Sequence, residues 1–319
     1  MSDSILKIED LDVHFPIHIG CVRAVEGVNL ELVRGEVMGL VGESGCGKST
    51  LGFSILNLLR PPGEIAAGRI LFNGRDIVTM SERELLSLRG EHISMIFQDP
   101  LTSLNPLFRI EQQFIETIQT HKKDVDKKTA YQMAENMLER LGIAPGRLTE
   151  YPHQMSGGMR QRIMIGMALV LNPQLIIADE PTTALDVIVE AQFLDLLNEL
   201  RHQFNLTVIL ISHNLGIVAQ MAERVTVMYG GSLAEMGTAE AIFGEPLHPY
   251  TQGLLASIPN IKLEQPKLVT MPGSPPDLVS PPPGCPFEPR CPQRISICAS
   301  EKPPDFDQDG RKVACWLYR

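Results

Sequence analysis

The segment Gly42-Glu43-Ser44-Gly45-Cys46-Gly47-Lys48-Ser49 constrains this chain more than any other stretch. It matches G-x-x-x-x-G-K-[ST], and it follows the apolar run Val37–Val41 and precedes Leu51–Leu59, whose apolar residues recur at helical spacing. Strand, Gly-rich loop and helix in succession predict a loop whose backbone N–H groups converge on phosphate at a helix N-terminus. In that geometry Gly42, Ser44, Gly45, Cys46, Gly47 and Thr50 line the cradle, Lys48 reaches the β and γ phosphates of ATP, and the Ser49 hydroxyl ligates Mg2+. The competing reading is a Gly-rich turn with an incidental lysine.

A second element of the same chemistry lies downstream. Leu175–Ala178 is an apolar strand candidate that ends in two adjacent carboxylates. Asp179 at the strand end suits the magnesium shell, and Glu180 suits a base that polarises the water attacking the γ phosphate. An isolated Asp-Glu pair is as often a helix cap, a reading that loses weight in a chain that also carries the Lys48-Ser49 loop. A helix over Val187–Phe204 and a strand over Thr207–Ile211 complete a parallel β-α-β pattern. Upstream, Leu11–Phe15, Val28–Leu32 and Gly68–Phe72 read as short strands, the last ending at the turn Asn73-Gly74, and Ile93–Phe97 as a further apolar run. From Asn105 to Tyr151 the pattern is helical, including an amphipathic run Ala130–Leu141 closed by Gly142. The fold class expected is α/β: a P-loop core with an antiparallel β subdomain, a helical insertion and a Pro/Cys-rich, metal-binding C-terminal extension.

Met155-Ser156-Gly157-Gly158-Met159-Arg160-Gln161 resembles the signature of ATP-binding cassette (ABC) ATPases, usually Leu-Ser-Gly-Gly-Gln. Further likenesses follow in order: Gln98 of Phe97-Gln98-Asp99-Pro100 resembles the Q-loop, Ala184-Leu185-Asp186 the D-loop, and His213 of Ser212-His213-Asn214 the switch histidine. Met155 and Met159 depart from the signature, whereas Ser156, Gly157 and Gly158 are retained. The resemblance implies two such domains sandwiching two ATP molecules, with Ser156, Gly157 and Gly158 facing the partner's γ phosphate. It implies that His213 contacts that phosphate, that Gln98 senses magnesium and water, that Asp186 joins the two sites and that Phe15 stacks on adenine. For Phe15, a core position on a strand is an equal alternative. Cys46 reads as a small filler or as a thiol-sensitive spot.

The tail narrows the reading further. Twelve of 24 prolines and four of six cysteines fall between Pro266 and Arg319, and Met271–Cys285 reads as an extended connector. Cys285, Cys291, Cys298 and Cys315 have the spacing C-x5-C-x6-C-x16-C, which is neither the short hook of structural zinc nor the compact ferredoxin run. Four thiolates suffice for either metal group. Together with Pro272-Gly273-Ser274-Pro275-Pro276-Asp277-Leu278 and His248-Pro249-Tyr250-Thr251, this tail resembles that of the ATPases of dipeptide and oligopeptide ABC importers, in the form of the first of their two paired ATPases, the D-type subunit. That resemblance implies a [4Fe-4S] cluster, with Zn2+ as the alternative. It also implies an F-type ATPase as heterodimer partner, two transmembrane permeases and an extracytoplasmic peptide-binding protein. Peptide-like solutes or nickel chelates are alternative cargoes.

Composition fits this picture. A net charge of -10 argues against nucleic acid as a partner, since phosphate neutralisation needs Lys and Arg in excess. A soluble ABC ATPase acting on nucleic acid or ribosomes is disfavoured by the single cassette, the lack of long heptads and the acidic balance. Met1–Asp10 lacks a basic and apolar leader, and the most apolar stretch, Ile163–Ala178, is interrupted by Asn172 and Pro173. The chain is thus expected to stay in the cytosol, and the importer resemblance implies the cytoplasmic face of a bacterial or archaeal membrane, where partners hold it peripherally. The expected division is a nucleotide-binding domain over 1–255, its helical subdomain at about 100–170, and an extension over 256–319.

Overall fold

The computed structural model describes residues 4–97, 104–182, 187–257 and 271–319, the side chains of 187–189 excepted. The chain divides into two compact units, Met1–Thr79 with Leu210–Arg319, and Met80–Ile209.

In the first unit, β1 (Ser4–Ile17) and β2 (Gly20–Val33) form a long antiparallel hairpin, each strand extending well beyond the short run the sequence marks. β4 (Glu64–Phe72) pairs with β1, and β5 (Arg75–Asp76) closes this sheet in the order β2-β1-β4-β5. Alternation buries Leu6, Ile8, Leu11, Val13, Val28, Leu30 and Leu32 on one side. The strands that this unit contributes to a second sheet run in the order β11 (Phe306–Gln308), β12 (Arg311–Val313), β10 (Ser232–Thr238), β9 (Arg224–Tyr229) and β3 (Val37–Val41). Its β3 (Val37–Val41) is buried throughout and pairs in parallel with β9 (Arg224–Tyr229). Such a continuous apolar run suits a strand covered on both faces. β10 (Ser232–Thr238) returns antiparallel to β9.

The tail is more regular than its proline content suggests. β11 (Phe306–Gln308) and β12 (Arg311–Val313) form a hairpin around Asp309-Gly310, and β12 joins the sheet through Glu235 opposite Val313. Both turn residues have positive φ, at 54° and 79°. Asp-Gly was the available sequence signal for this hairpin, in a stretch where regularity otherwise fades after Tyr250. The connector from Met271 to Cys285 carries no helix or strand, as its prolines require. α1 (Lys48–Ile55), α7 (Leu215–Met221), α8 (Ala239–Gly244) and α9 (Pro249–Ala256) complete the unit; the intervening helices belong to the second. α1 stops four residues before the apolar spacing predicts. Asn57 takes φ 49°, and the Leu58 N–H closes on Phe53 O at 2.9 Å, a left-handed helix stop that Asn tolerates.

The second unit holds α2 (Glu82–Leu88), the parallel pair β6 (Ile93–Ile96) and β7 (Leu175–Asp179), and the helices α3 (Ile110–His121), α4 (Lys127–Arg140), α5 (Gly157–Leu169) and α6 (Val187–Phe204). Asp126 caps α4 by accepting the Thr129 N–H at 2.9 Å. Phe114, Ile118, Ala134 and Leu138 are buried where α3 and α4 pack. α5 comes so close that a Cβ at Gly166 would lie 2.5 Å from Leu141 Cδ1. β8 (Thr207–Ile211) spans the boundary between the units. No helix among the described residues is long and apolar enough to cross a membrane.

Candidate functional site

The phosphate loop leaves β3 at Gly42 and enters α1 at Lys48. Gly47 has φ +105°, and a Cβ there would meet the Ala24 carbonyl oxygen at 2.3 Å, so only glycine fits. Gly42, φ +152°, faces the Met228 carbonyl in the same way, at 2.2 Å. Ser44 and Gly45 are exposed at the loop crest, whereas Cys46 is buried and Lys48 only 5% exposed. The Lys48 ammonium donates to Gly42 O and Glu43 O, both at 2.9 Å, and lies 3.7 Å from Cys46 Sγ. Two of its three N–H groups therefore hold the loop in shape, and the third has only a weak sulfur acceptor that a phosphate oxygen would outcompete. Burial pushes the Cys46 thiol up, which makes it the inert filler rather than a reactive thiol. Ser49 and Thr50, half-buried, sit in the first turn of α1.

Glu43, at the first variable position of the loop, is gripped from outside. Its backbone N–H donates to the Tyr250 hydroxyl at 2.8 Å, and its carboxylate accepts from Arg290 Nη1 at 2.8 Å and Nη2 at 3.0 Å. Tyr250 is fully buried in α9. His248 caps that helix, its Nδ1 accepting the Tyr250 N–H at 3.0 Å. Burial lowers the His248 pKa to about 4, so the imidazole is neutral. Buried Glu235 of β10 fixes the turn ahead of α9 by accepting the Leu247 and His248 N–H groups at 2.8 and 2.9 Å. The run His248-Pro249-Tyr250 is thus a strut beneath the phosphate loop. The sequence marks this run only through a family resemblance and does not single out Arg290; Tyr250 and Arg290 stand 207 and 247 residues from Glu43, which leaves no local signal.

Elsewhere in this unit, Phe15 is half-buried on β1, its ring edge lying 2.5 Å from the position of a Cβ on Gly63, so it is not a core residue. His213 is exposed on the loop after β8. That loop is anchored by Ser212 N–H to Leu40 O at 3.2 Å and shaped by Asn214 N–H to Ser212 Oγ at 3.0 Å. A cavity of about 390 Å3 is lined by Asp12, Glu26, Asn29, His248, Cys285 and Lys302, and by none of the loop residues 42–49.

In the second unit, β7 is buried along its whole length and delivers Asp179, 5% exposed, followed by Glu180. Glu180 adopts φ 46°, a left-handed conformation that costs a residue bearing a Cβ on the order of 1 kcal/mol and recurs at working sites. Ser156 caps α5, its Oγ accepting the Met159 N–H at 3.3 Å, and Ser156 and Gly157 are exposed with Gly158 half-buried behind them. No acidic residue lies in the first turn, so the positive helix end is left for an outside anion. Buried Gln161, one turn along, donates its side-chain N–H to the Pro181 carbonyl, tying the signature helix to the turn that carries Glu180. Gln98 and Asp186 lie outside the described residues.

Cys285, Cys298 and Cys315 are buried, Cys291 is half-buried, and none of the four is in a disulfide. Cys285 N–H donates to Cys298 O at 2.8 Å. Burial first, then the charges of Cys298, Cys315 and Cys291, push the Cys285 thiol up to about 11. The donor set, four sulfurs, has the chemistry a soft metal takes. Yet among the described residues no group of three or more His, Cys, Asp or Glu side chains is arranged to hold a metal ion.

Comparison with known proteins agrees with this geometry. The family model described as ABC transporter matches residues 25–183, and that of the oligopeptide/dipeptide transporter C-terminal region matches 234–298. The chain is 49% identical to the dipeptide transport ATP-binding protein DppD of Bacillus subtilis, covering 99% of this chain and 95% of that one. It is 48% identical to the oligopeptide transport ATP-binding protein OppD of Salmonella typhimurium, over 98% and 93%. Among solved structures, a bacterial ABC transporter cassette determined as a dimer aligns at TM-score 0.65 and 25% identity, covering 73% of this chain and 98% of that one. A P-loop, a strand ending in two carboxylates, a Ser-capped helix and near full-length identity at this level place the chain in the family of ABC transporter ATP-binding subunits, in its dipeptide/oligopeptide branch.

Proposed function

We propose that this chain is the ATP-hydrolysing subunit that energises import of dipeptides or oligopeptides. The carrying observation is the 49% identity over 99% of the chain to a dipeptide transport ATP-binding protein. In this reading the loop Gly42, Ser44, Gly45, Cys46, Gly47 and Thr50 cradles the phosphates and Lys48 turns its third N–H to them. Ser49, Asp179 and Gln98 are the oxygen donors suited to Mg2+, which when bound neutralises developing phosphate charge. Glu180 accepts the proton of the attacking water, and His213 and Gln98 orient the γ phosphate and that water. Phe15 offers its ring to adenine. Ser156, Gly157 and Gly158 address a nucleotide held by a second ATPase subunit, with Asp186 at the join; we assign that partner as an F-type subunit in a heterodimer. Two permeases and an extracytoplasmic binding protein complete the assembly, and the chain is a peripheral component at the cytoplasmic membrane face.

The functional division proposed is 1–255 for nucleotide binding, with a helical subdomain at about 100–170, and 256–319 for the extension. We further propose that Cys285, Cys291, Cys298 and Cys315 hold a [4Fe-4S] cluster, zinc being the alternative. What supports this is the sulfur-only donor set and the mutual influence of the thiols on Cys285. Such a group would stabilise the ionised thiols that burial opposes and would staple the tail.

Co-expression with two permeases and a second ATPase, followed by reconstitution in vesicles, tests the transport reading. ATP turnover should rise when binding protein loaded with a dipeptide or oligopeptide is added. A rise with nickel chelate and none with peptides would assign the alternative cargo.

A further inference from the structure

We propose that Arg290 is a positioning residue for ATP binding, through which the cysteine-rich tail sets the shape of the phosphate loop. The proposal rests on the reading that residues 42–49 bind ATP.

Every polar group of Glu43 is engaged. Its N–H goes to Tyr250 Oη at 2.8 Å, its carbonyl accepts from Lys48 Nζ at 2.9 Å, and its carboxylate takes the bidentate fork of Arg290 at 2.8 and 3.0 Å. Arg290 is equally fixed. Its Nε donates to Pro272 O at 2.9 Å and its Nη1 also reaches Tyr229 Oη at 3.2 Å. The guanidinium stands 5.7 Å from the Tyr229 ring centre and 6.0 Å from that of Phe287. Tyr229, Tyr250 and Phe287 are themselves in mutual ring contact at 4.4 to 5.5 Å. The Arg290 side chain is 6% exposed and that of Glu43 25%, so the guanidinium is shielded from water while the carboxylate is only partly so.

This is more than packing, because of where the two ends lie. Glu43 directly follows Gly42, where the loop leaves β3, and its carbonyl is one of the two that hold Lys48. Arg290 ends the 3-10 turn Glu288–Arg290, directly before Cys291 and five residues after Cys285. A bidentate pair fixes both distance and angle, which a point charge would not. Moving the tail by an ångström therefore moves Glu43, and with it the backbone N–H groups and the ammonium that must converge on phosphate. Phosphate-binding geometry tolerates little such displacement. The residues that contact phosphate are otherwise untouched, so the effect falls on nucleotide affinity and not on the hydrolytic step.

The test is equilibrium binding of a fluorescent ATP analogue to the full chain, with steady-state hydrolysis in the assembled transporter, for Glu43→Gln, Arg290→Met, Arg290→Lys and the double variant Glu43→Gln/Arg290→Met. Each single variant should raise Kd and KM for ATP at least tenfold with kcat within about twofold. Arg290→Lys, which keeps the charge and loses the fork, should fall between wild type and Arg290→Met. The double variant should be no weaker than the worse single, because both remove one interaction. Fluorescence of Trp316, the only tryptophan, reports whether the tail stays folded. If Arg290→Met unfolds the tail, Glu43→Gln decides alone. A Kd within twofold of wild type for Glu43→Gln, or additive losses in the double variant, overturns the proposal. Absence of ATP binding by wild type would instead overturn the reading on which it rests.

Discussion

Protonation of His248 should loosen the strut under the phosphate loop, and its magnitude follows from the structure. In the unfolded chain the imidazole titrates at 6.5, while in the fold burial lowers this to about 4. A depressed histidine pKa means that the unfolded state binds the proton first, so stability is fully present above pH 6.5 and declines as pH falls towards 4. The slope is about 1.4 kcal/mol per pH unit inside that window, giving a loss of roughly 1 kcal/mol at pH 5.5 and roughly 3 kcal/mol near pH 4.5. Nδ1 cannot both accept the Tyr250 N–H and carry a proton, so the charged form also breaks the α9 cap. Urea unfolding followed by Trp316 fluorescence at pH 7.5, 6.5, 5.5 and 4.5 isolates this contribution when wild type is compared with His248→Asn. Asn keeps an acceptor for the Tyr250 N–H but does not titrate. At pH 7.5 wild type should be the more stable, by about 2 kcal/mol for packing lost around the buried ring. That advantage should vanish by pH 4.5. Parallel loss of stability in the two proteins across this range would refute the reasoning, as would a histidine NMR signal for His248 titrating at its ordinary value.

Glu180→Gln should bind ATP with wild-type affinity and hydrolyse it at least a hundredfold more slowly, and unchanged turnover would remove Glu180 as the base. Protein purified without oxygen should be brown and contain iron and sulfide at about four each per chain. Stoichiometric zinc without iron would assign the alternative, and neither metal would leave the four thiols as plain packing groups.

The nucleotide motifs were legible because their chemistry is local. Gly42 to Ser49 must be contiguous for N–H groups to converge on one phosphate, and Asp179 and Glu180 must end an apolar strand. Hydrophobic period likewise marked β3, β7 and β8, buried at every residue, and the amphipathic helix within 127–140. The extent of the β1–β2 hairpin and the stop of α1 at Ile55 were less readable, since strand pairing and a left-handed Asn57 override spacing along the chain. The tail shows the limit most clearly. Its cysteines and prolines announced an irregular appendage, whereas β12 joins the sheet at Glu235 and Arg290 clasps Glu43.

By itself, then, the sequence determined the engine: a phosphate loop, a carboxylate strand and a signature helix, each specified by neighbours a few residues apart. Only the tertiary structure decided what holds that engine in shape. Tyr250 and Arg290 reach Glu43 across 207 and 247 residues, and a lone tyrosine hydroxyl or arginine fork has no periodicity that names its partner. Burial supplies the specificity instead, because a charged fork withdrawn from water must find its carboxylate wherever the fold puts it.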